Sequence, residues 1–193
     1  MQIYRSMGNG RFPRPCITEM GGKNACIVTL NADLERASAG IVRSAYGLSG
    51  QKCSSLSRIY VEDGVADALI ENLLGKIAAL TVGDPARKDN WMGPVTTANA
   101  VQKYERCSKR LNDNGSRILC GGQRLTNGEL AHGYFVAPTL AEAPATHPLY
   151  GEEMFLPIAM LCRVRDRTEA VPLAKDCSLG LTAGCYGSEE DAT

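Results

Sequence analysis

Short apolar segments alternate along the chain with longer amphipathic segments, and this alternation limits the possible folds more than any other feature of the sequence. Residues 25–30, 57–63 and 157–164 are short runs rich in apolar and β-branched side chains, as is typical of strands covered on both faces. Residues 31–47 and 65–83 instead repeat apolar side chains every three or four positions, which predicts helices. The alternation predicts an α/β fold, with a mostly parallel sheet covered by helices on both faces.

The second half of the chain continues the same pattern. We expect helices over 96–115, capped by a threonine and closed at Gly115, and over 166–180, where Pro172 implies a late start or a kink. Residues 116–122, 133–140 and 181–187 are expected to be strands, with Pro138 at an edge or a strand end. The last residues, 186–193, are typical of the opening of another helix.

Composition excludes several classes of partner. The chain has 21 Lys and Arg against 21 Asp and Glu, so its balanced charge gives no reason to expect nucleic acid or an anionic membrane. Its apolar runs are too short to span a bilayer, and "MQIYRSMGNGRFPRP" has no apolar signal core. We therefore expect a cytoplasmic protein.

The eight cysteines are scattered, and the chain has only two histidines. No CxxC pair and no Cys–His spacing typical of a metal site is present, so no metal is expected. A disulfide framework belongs to small secreted chains. Most of these cysteines are therefore expected to be reduced, buried and small apolar fillers.

The stretch "GQKCSS" makes Cys53 a candidate nucleophile. Gly50 permits an unusual turn, and Lys52 places a cation near the thiol, which must be ionised to attack. The alternative is that Cys53 only fills space, as most free cysteines do. A Cys–His pair would need His132 or His147, both of which lie beside Gly or Pro in loop-like sequence.

A carboxylate is the other candidate base. Glu19 lies in "TEMGGKN", directly before two glycines and a buried strand, where a side chain can line a cleft. A solvated surface charge is the alternative for Glu19 taken alone.

Together, "EMGGKN" and "GQKCSS" resemble the paired active-site signatures of the aldehyde dehydrogenase superfamily, and Cys53 follows Glu19 by 34 residues, as is usual in that family. Further matches follow in family order: "ADLERA", "VGDP", "MGPV", "GYFVAPTL", "GEEMFLPI" and "GLTAGCY". The resemblance runs from about Pro15 to Thr193.

The resemblance implies a mechanism. Cys53 would attack an aldehyde carbon, hydride would leave to NAD or NADP, and Glu19 would activate the water that hydrolyses the thioester. Gly21 and Gly22 would let the backbone come close to the nicotinamide.

The resemblance also implies a cofactor contact in "EEMF". Glu153 would bond the nicotinamide ribose and Phe155 would border the ring, the alternatives being a solvated turn and a core aromatic. The family's usual glycine after this Phe is Leu156 here, and a bulky side chain is expected to shift the loop.

The segments "GQKCS", "SAYGL" and "RFPRPCITEMGGKN" resemble the sequences of one branch of the family, the L-glutamate γ-semialdehyde (1-pyrroline-5-carboxylate) dehydrogenases of proline catabolism. There Ser54 would hold the substrate's α-carboxylate; alternatively it is a small residue that fits a tight turn.

The resemblance covers only the family's catalytic part. Residues 1–18 would be a remnant of a preceding nucleotide-binding domain or a linker, and 19–193 a catalytic domain truncated before the oligomerisation hairpin. We expect little or no NAD-dependent activity from this piece alone, and a homo-oligomer for the full-length enzyme. Two other functions stay open: a non-catalytic binding or assembly module on the same fold, and a thiol esterase-type hydrolase.

Overall fold

The computed structural model describes residues 2–9, 12, 14–113 and 115–192. The helices within these ranges are α1 Gln2–Gly8, α2 Leu34–Tyr46, α3 Asp63–Ala78, α4 Ala98–Asp113 and α5 Arg167–Lys175. The strands are β1 Asn24–Val28, β2 Leu56–Glu62, β3 Arg117–Cys120, β4 Thr139–Glu142, β5 Ile158–Val164 and β6 Ala183–Tyr186.

These described strands form one sheet in the order β3-β4-β5-β2-β1-β6. The neighbouring strands pair in parallel, except that β3 and β4 are antiparallel. Parallel strands need crossover connections: α2 connects the paired strands β1 and β2, and α5 connects β5 to β6, which pairs with β1. The mostly parallel sheet predicted from the sequence is confirmed.

Helices cover both faces of the sheet, as expected. On one face, α2 and α3 pack Ile41 and Leu69 against Val28 of β1 and Ile59 of β2. On the other face, α4 and α5 close a second core with Tyr60. Because both faces of β1, β2 and β5 are buried, their sequences are nearly continuous apolar runs.

Helix ends follow local chemistry. Asp33 caps α2, where its side chain accepts a hydrogen bond of 3.0 Å from the amide of Arg36. The predicted threonine cap of α4 is Thr97, whose hydroxyl accepts from the amide of Ala100 at 3.1 Å. Pro172 lies inside α5, which starts at Arg167, so the expected late start is wrong.

Some expectations need correction. The sequence patterns did not predict α1, which is exposed. Pro138 directly precedes β4, so of the two places expected for it, an edge or a strand end, the strand end is right and the edge is wrong, since β4 lies between two other strands. Residues 190–192 form a short 3-10 turn, while Thr193 lies outside the described residues.

The cysteines are also less buried than expected. All eight are free, but only Cys26, Cys107 and Cys162 are buried, and Cys185 is exposed. The remaining cysteines, Cys16, Cys53, Cys120 and Cys177, are half-buried. The prediction that most of them are core fillers is therefore wrong.

The proposed division of the chain stays a prediction. Its 1–18 segment includes Met1, Gly10, Arg11 and Pro13, and these residues lie outside the described part. None of the described helices is long and apolar enough to cross a membrane.

Candidate active site at the amino ends of the parallel strands

The topology brings three of the sequence-predicted segments to one edge of the sheet. Glu19 precedes β1, Cys53 precedes β2, and Glu153 and Phe155 precede β5. Because these three strands are parallel neighbours, the loops that enter them meet at the amino-terminal edge.

Asn24, the first residue of β1, ties this edge together. Its Nδ2 donates hydrogen bonds of 2.8 Å to the carbonyls of Cys53 and Ser55, and its Oδ1 accepts one of 2.9 Å from the amide of Thr182. The side chain is buried, so these bonds are shielded from water. Asn24 therefore fixes the backbone of the candidate nucleophile relative to β1.

Gly22 lies directly against the same carbonyl. A Cβ at this position would stand 2.2 Å from the Cys53 oxygen, far inside contact distance. A glycine here permits the approach of two backbone segments of this chain. The expected approach of the backbone to a nicotinamide stays a prediction.

Glu153 reaches back over the glycine pair. Its Oε1 accepts a hydrogen bond of 3.0 Å from the amide of Gly22, and a Cβ on Gly21 would stand 2.1 Å from its Oε2. Lys103 of α4 donates a bond of 2.9 Å to the backbone carbonyl of Glu153. The side chain is half-buried, so Glu153 is not a freely solvated turn residue.

Phe155 and Leu156 have opposite surroundings. Phe155 has a positive φ of 58° and is 44% exposed, so its ring does not belong to the core. Leu156 is buried, and its carbonyl lies where a Cβ on Gly50 would stand, at 2.2 Å. The bulky residue that replaces the family's glycine thus packs into the core beneath the exposed ring.

The turn before Cys53 is held in an unusual conformation. Leu48, Ser49 and Gly50 have φ of 53°, 57° and 66° in succession, a left-handed run that costs energy for residues other than glycine. Two side chains anchor it: Ser49 Oγ donates to the carbonyl of Gly93 at 2.9 Å, and Gln51 Oε1 accepts from the amide of Thr96 at 3.0 Å. These two hydrogen bonds therefore hold the loop in its left-handed conformation.

The remaining predicted residues differ in exposure. Cys53 and Lys52 are half-buried, whereas Ser54 is exposed. Glu19 is exposed and makes no hydrogen bond or ion pair with another described residue. The structure places Glu19 in the segment that enters β1, and Gly22 of that segment is the residue that touches the Cys53 loop.

The two histidines lie away from these contacts. His147 is buried, and its ring nitrogens face the amide of Leu149 at 3.2 Å and the carbonyl of Arg110 at 3.3 Å. His132 is exposed in the 3-10 turn Gly128–His132. A ring with both nitrogens engaged by backbone groups is not available as a base for Cys53.

Sequence reasoning missed Asn24, Gln51 and Lys103. Asn24 had a detectable signal, because a polar amide at the first position of a buried strand needs buried partners. Gln51 and Lys103 carried none, since their partners lie in the loop before α4 and in the loop before β5.

Comparisons with known proteins show what this chain is similar to. The sequence profile of the aldehyde dehydrogenase family matches residues 1–193. The chain is 34% identical over 169 residues to α-ketoglutaric semialdehyde dehydrogenase of Bacillus subtilis (strain 168), covering 87% of this chain and 35% of that protein. It is 38% identical over 170 residues to 1-pyrroline-5-carboxylate dehydrogenase of the same organism, covering 86% and 32%.

Solved structures show the same likeness. The structure of 1-pyrroline-5-carboxylate dehydrogenase from Thermus with bound NAD superposes with a TM-score of 0.89 at 36% identity, over 99% of this chain and 37% of that one. Betaine aldehyde dehydrogenase from Staphylococcus aureus in complex with NAD+ gives 0.86 at 29% identity, over 89% and 34%. The chain spans about a third of the length of the curated relatives that it matches.

Proposed function

The chain belongs to the aldehyde dehydrogenase family, and we propose that it supplies the catalytic cysteine and general base of an NAD- or NADP-dependent enzyme that oxidises an aldehyde to a carboxylic acid. The contact of Gly22 and Asn24 with the carbonyl of Cys53 is the observation that carries this proposal. It joins the segment of the candidate base to the loop of the candidate nucleophile.

Cys53 acts as the nucleophile. Its thiolate attacks the carbonyl carbon and forms a thiohemiacetal, which becomes a thioester when hydride leaves the same carbon. Asn24 holds the backbone of Cys53 during this change, because both hydrogen atoms of its amide are bonded to the loop. A fixed nucleophile loses less orientational freedom on reaching the reactive geometry.

Glu19 acts on the thioester. As an exposed carboxylate without a bonded partner among the described residues, it is free to take a proton from water. The hydroxide equivalent so produced attacks the thioester carbon, and the acid leaves as Cys53 is regenerated.

The residues present fit the nicotinamide end of the cofactor. One carboxylate oxygen of Glu153 is bonded to Gly22, and the other, Oε2, has no hydrogen bond to a described residue, so it can accept one from a ribose hydroxyl. The exposed ring of Phe155 follows two residues later and offers an apolar face. When bound, NAD or NADP accepts the hydride that leaves the substrate carbon.

The substrate that we propose is L-glutamate γ-semialdehyde, which would be oxidised to glutamate. Ser54 is exposed next to Cys53, where its hydroxyl can donate to a substrate carboxylate. The named relatives also support an aldehyde that carries a carboxylate, since they include dehydrogenases of 1-pyrroline-5-carboxylate, α-ketoglutaric semialdehyde and succinate semialdehyde.

The thiol chemistry is testable on the 193-residue chain with an activated ester such as p-nitrophenyl acetate. We expect acetylation of Cys53, detected by mass spectrometry of peptides, and its loss in Cys53→Ala. Glu19→Gln should acetylate normally and release acetate more slowly. Cys177→Ala, which removes another half-buried thiol, serves as the matched control and should behave as the unchanged chain.

The outcomes separate the alternatives. Acetylation of all partly exposed cysteines at one rate would contradict a special role for Cys53 and favour a non-catalytic module. Fast steady turnover of the ester, with no aldehyde oxidation even when this segment is joined to a nucleotide-binding domain, would favour a thiol hydrolase.

Aldehyde oxidation by the chain alone should be weak. The resemblance assigns part of the oxyanion hole and most of the cofactor site to sequence outside these residues, and loss of one oxyanion donor costs about 10²–10³ in rate. NADH formation with the semialdehyde measures it, and robust turnover by this piece alone would contradict the expectation.

A further inference from the structure

Lys23 is a buried amine for which the mechanism above has no use. It follows Gly22 at the entry to β1, its side chain is 1% exposed, and its Nζ has no hydrogen-bond partner among the described residues. Buried lysines are rare unless they are paired, because burial removes the water that stabilises the ammonium ion.

A fixed cation stands beside it. Arg58 of β2 is buried, and its Nε and Nη2 donate hydrogen bonds of 3.0 and 2.6 Å to the backbone carbonyl of Lys23. Nη2 also donates to the carbonyl of Ala174 at the end of α5, at 3.0 Å. The guanidinium is therefore held in place by carbonyl groups.

This environment favours the neutral amine. Burial, and secondly the charge of Arg58, lower the pKa of Lys23 from 10.5 to about 7. Cys107 of α4, Cys177 after α5 and Glu152 before β5 act in the opposite direction, but their effects are smaller. A neutral amine next to a second cation is the usual arrangement of a nucleophilic lysine.

Lys23 also lines a cavity of about 470 Å³ between α5 and strands β1 and β6, a size suited to a small ligand. Its walls are largely apolar, formed in part by Ile27, Val171 and Leu179. Arg58 and Lys175 are the other charged residues of the lining, which contains no carboxylate among the described residues. An apolar cavity with only positive charge suits a short organic anion.

We propose that Lys23 is a second nucleophile of this chain and forms an imine with short aldehydes that carry a carboxylate. The amine nitrogen adds to the carbonyl carbon and gives a carbinolamine. The C=N bond of the imine then forms as the former carbonyl oxygen leaves as water, whose two hydrogen atoms come from the amine. The step is reversible and needs no oxidant or reductant. The charges of Arg58 and Lys175 attract the carboxylate. The proposal is independent of the chemistry at Cys53.

Reductive trapping tests the proposal on the unaltered chain. Glyoxylate is added at pH 7 with cyanoborohydride, which reduces an imine to a stable secondary amine, and peptide mass spectrometry gives the rate at each lysine. We expect Lys23 to be modified at least about tenfold faster than the exposed Lys88, because burial lowers the pKa of Lys23 to about 7 and leaves much of its amine neutral at this pH.

Two comparisons complete the experiment. Acetaldehyde has the same number of carbons without the carboxylate and should modify Lys23 several-fold more slowly than glyoxylate does. Cys53→Ala should leave the Lys23 rate unchanged, which separates this site from the proposed dehydrogenase chemistry. Modification of Lys23 no faster than Lys88 would overturn the proposal, and equal rates with the two aldehydes would overturn its carboxylate preference.

Discussion

Adding a single methyl group at Gly22 should damage the candidate site more than adding one at Gly21. The Cβ of Gly22→Ala would lie 2.2 Å from the backbone oxygen of Cys53 and 3.1 Å from Oδ1 of Asn24. Backbone must therefore shift by roughly 1 Å, since carbon and oxygen prefer contact beyond about 3 Å. Overpacking of this kind costs about 1–3 kcal/mol.

The shift should also weaken the hydrogen bond from Asn24 to Cys53. Asn24 donates to the same Cys53 carbonyl, and the loss of one such bond costs about 1 kcal/mol more. We therefore expect Gly22→Ala to lower the free energy of unfolding by about 2–4 kcal/mol in total. Urea denaturation measures this loss as a lower midpoint with an unchanged slope. The alkylation rate of Cys53 should change as well.

Gly21→Ala is the matched control. Its Cβ would lie 2.1 Å from Oε2 of Glu153, the end of a flexible side chain that can rotate away. We expect a loss below about 1.5 kcal/mol, mainly from the bond between Glu153 and the amide of Gly22, and no change in Cys53 alkylation. If the two variants are equally stable, or if Gly22→Ala leaves Cys53 unchanged, the contact does not hold the nucleophile as we argue.

Three further predictions concern neighbouring positions. Asn24→Ala removes three hydrogen bonds of a buried side chain and should cost about 2–4 kcal/mol in urea denaturation, whereas Asn90→Ala, which removes one bond at the surface, should cost under about 1 kcal/mol. The pKa of Lys23 is about 7 in the folded chain and 10.5 in the unfolded chain. Between pH 7 and 10.5 the unfolded chain therefore binds more protons, and the free energy of unfolding increases with pH. The stability advantage of Lys23→Met over the unchanged chain should therefore shrink by about 1.4 kcal/mol per unit between pH 7.5 and 9; a constant difference would contradict the lowered pKa. Leu48→Gly removes a left-handed leucine that is 73% exposed and should stabilise the chain by up to about 1 kcal/mol, seen as a higher Tm; a lower Tm would contradict the strain.

The sequence predicted the parallel sheet because burial on both faces leaves a direct signature in composition. Continuous apolar runs such as 158–164 need cover on two sides, and the helical segments between them can provide it. Helix α1 left no such signature, since its side chains at residues 3–8 are exposed and show no repeating buried face. Buried cysteines were overpredicted because cysteine is apolar enough for a core without being confined to one.

At the site, residue types were easier to predict than their contacts. The glycines of "EMGGKN" predicted a close approach to a nicotinamide, which stays a prediction; in the structure the carboxylate of Glu153 lies against Gly21 and the carbonyl of Cys53 against Gly22. What approaches is set by tertiary structure: Glu153 lies 131 residues beyond Gly22, and no local pattern indicates that its carboxylate bonds to that amide. The same holds for Lys23, whose burial depends on α4, α5 and β2 together.

A one-residue offset between β1 and β2 connects the two ends of this site. Asn24 pairs with Leu56, but Ala25 pairs with Arg58, so Ser57 is an extra residue in β2. Such a bulge reverses the alternation of side chains along the strand that contains it. Leu56 accordingly packs on the α2 and α3 face, while Arg58 points to the opposite face and bonds the carbonyl of Lys23. If Ser57 were an ordinary strand residue, Leu56 and Arg58 would share one face, so a strand that packs Leu56 against α2 and α3 could not also place Arg58 beside Lys23. The register that holds the Cys53 loop against β1 is therefore also the register that places a buried cation beside a buried amine.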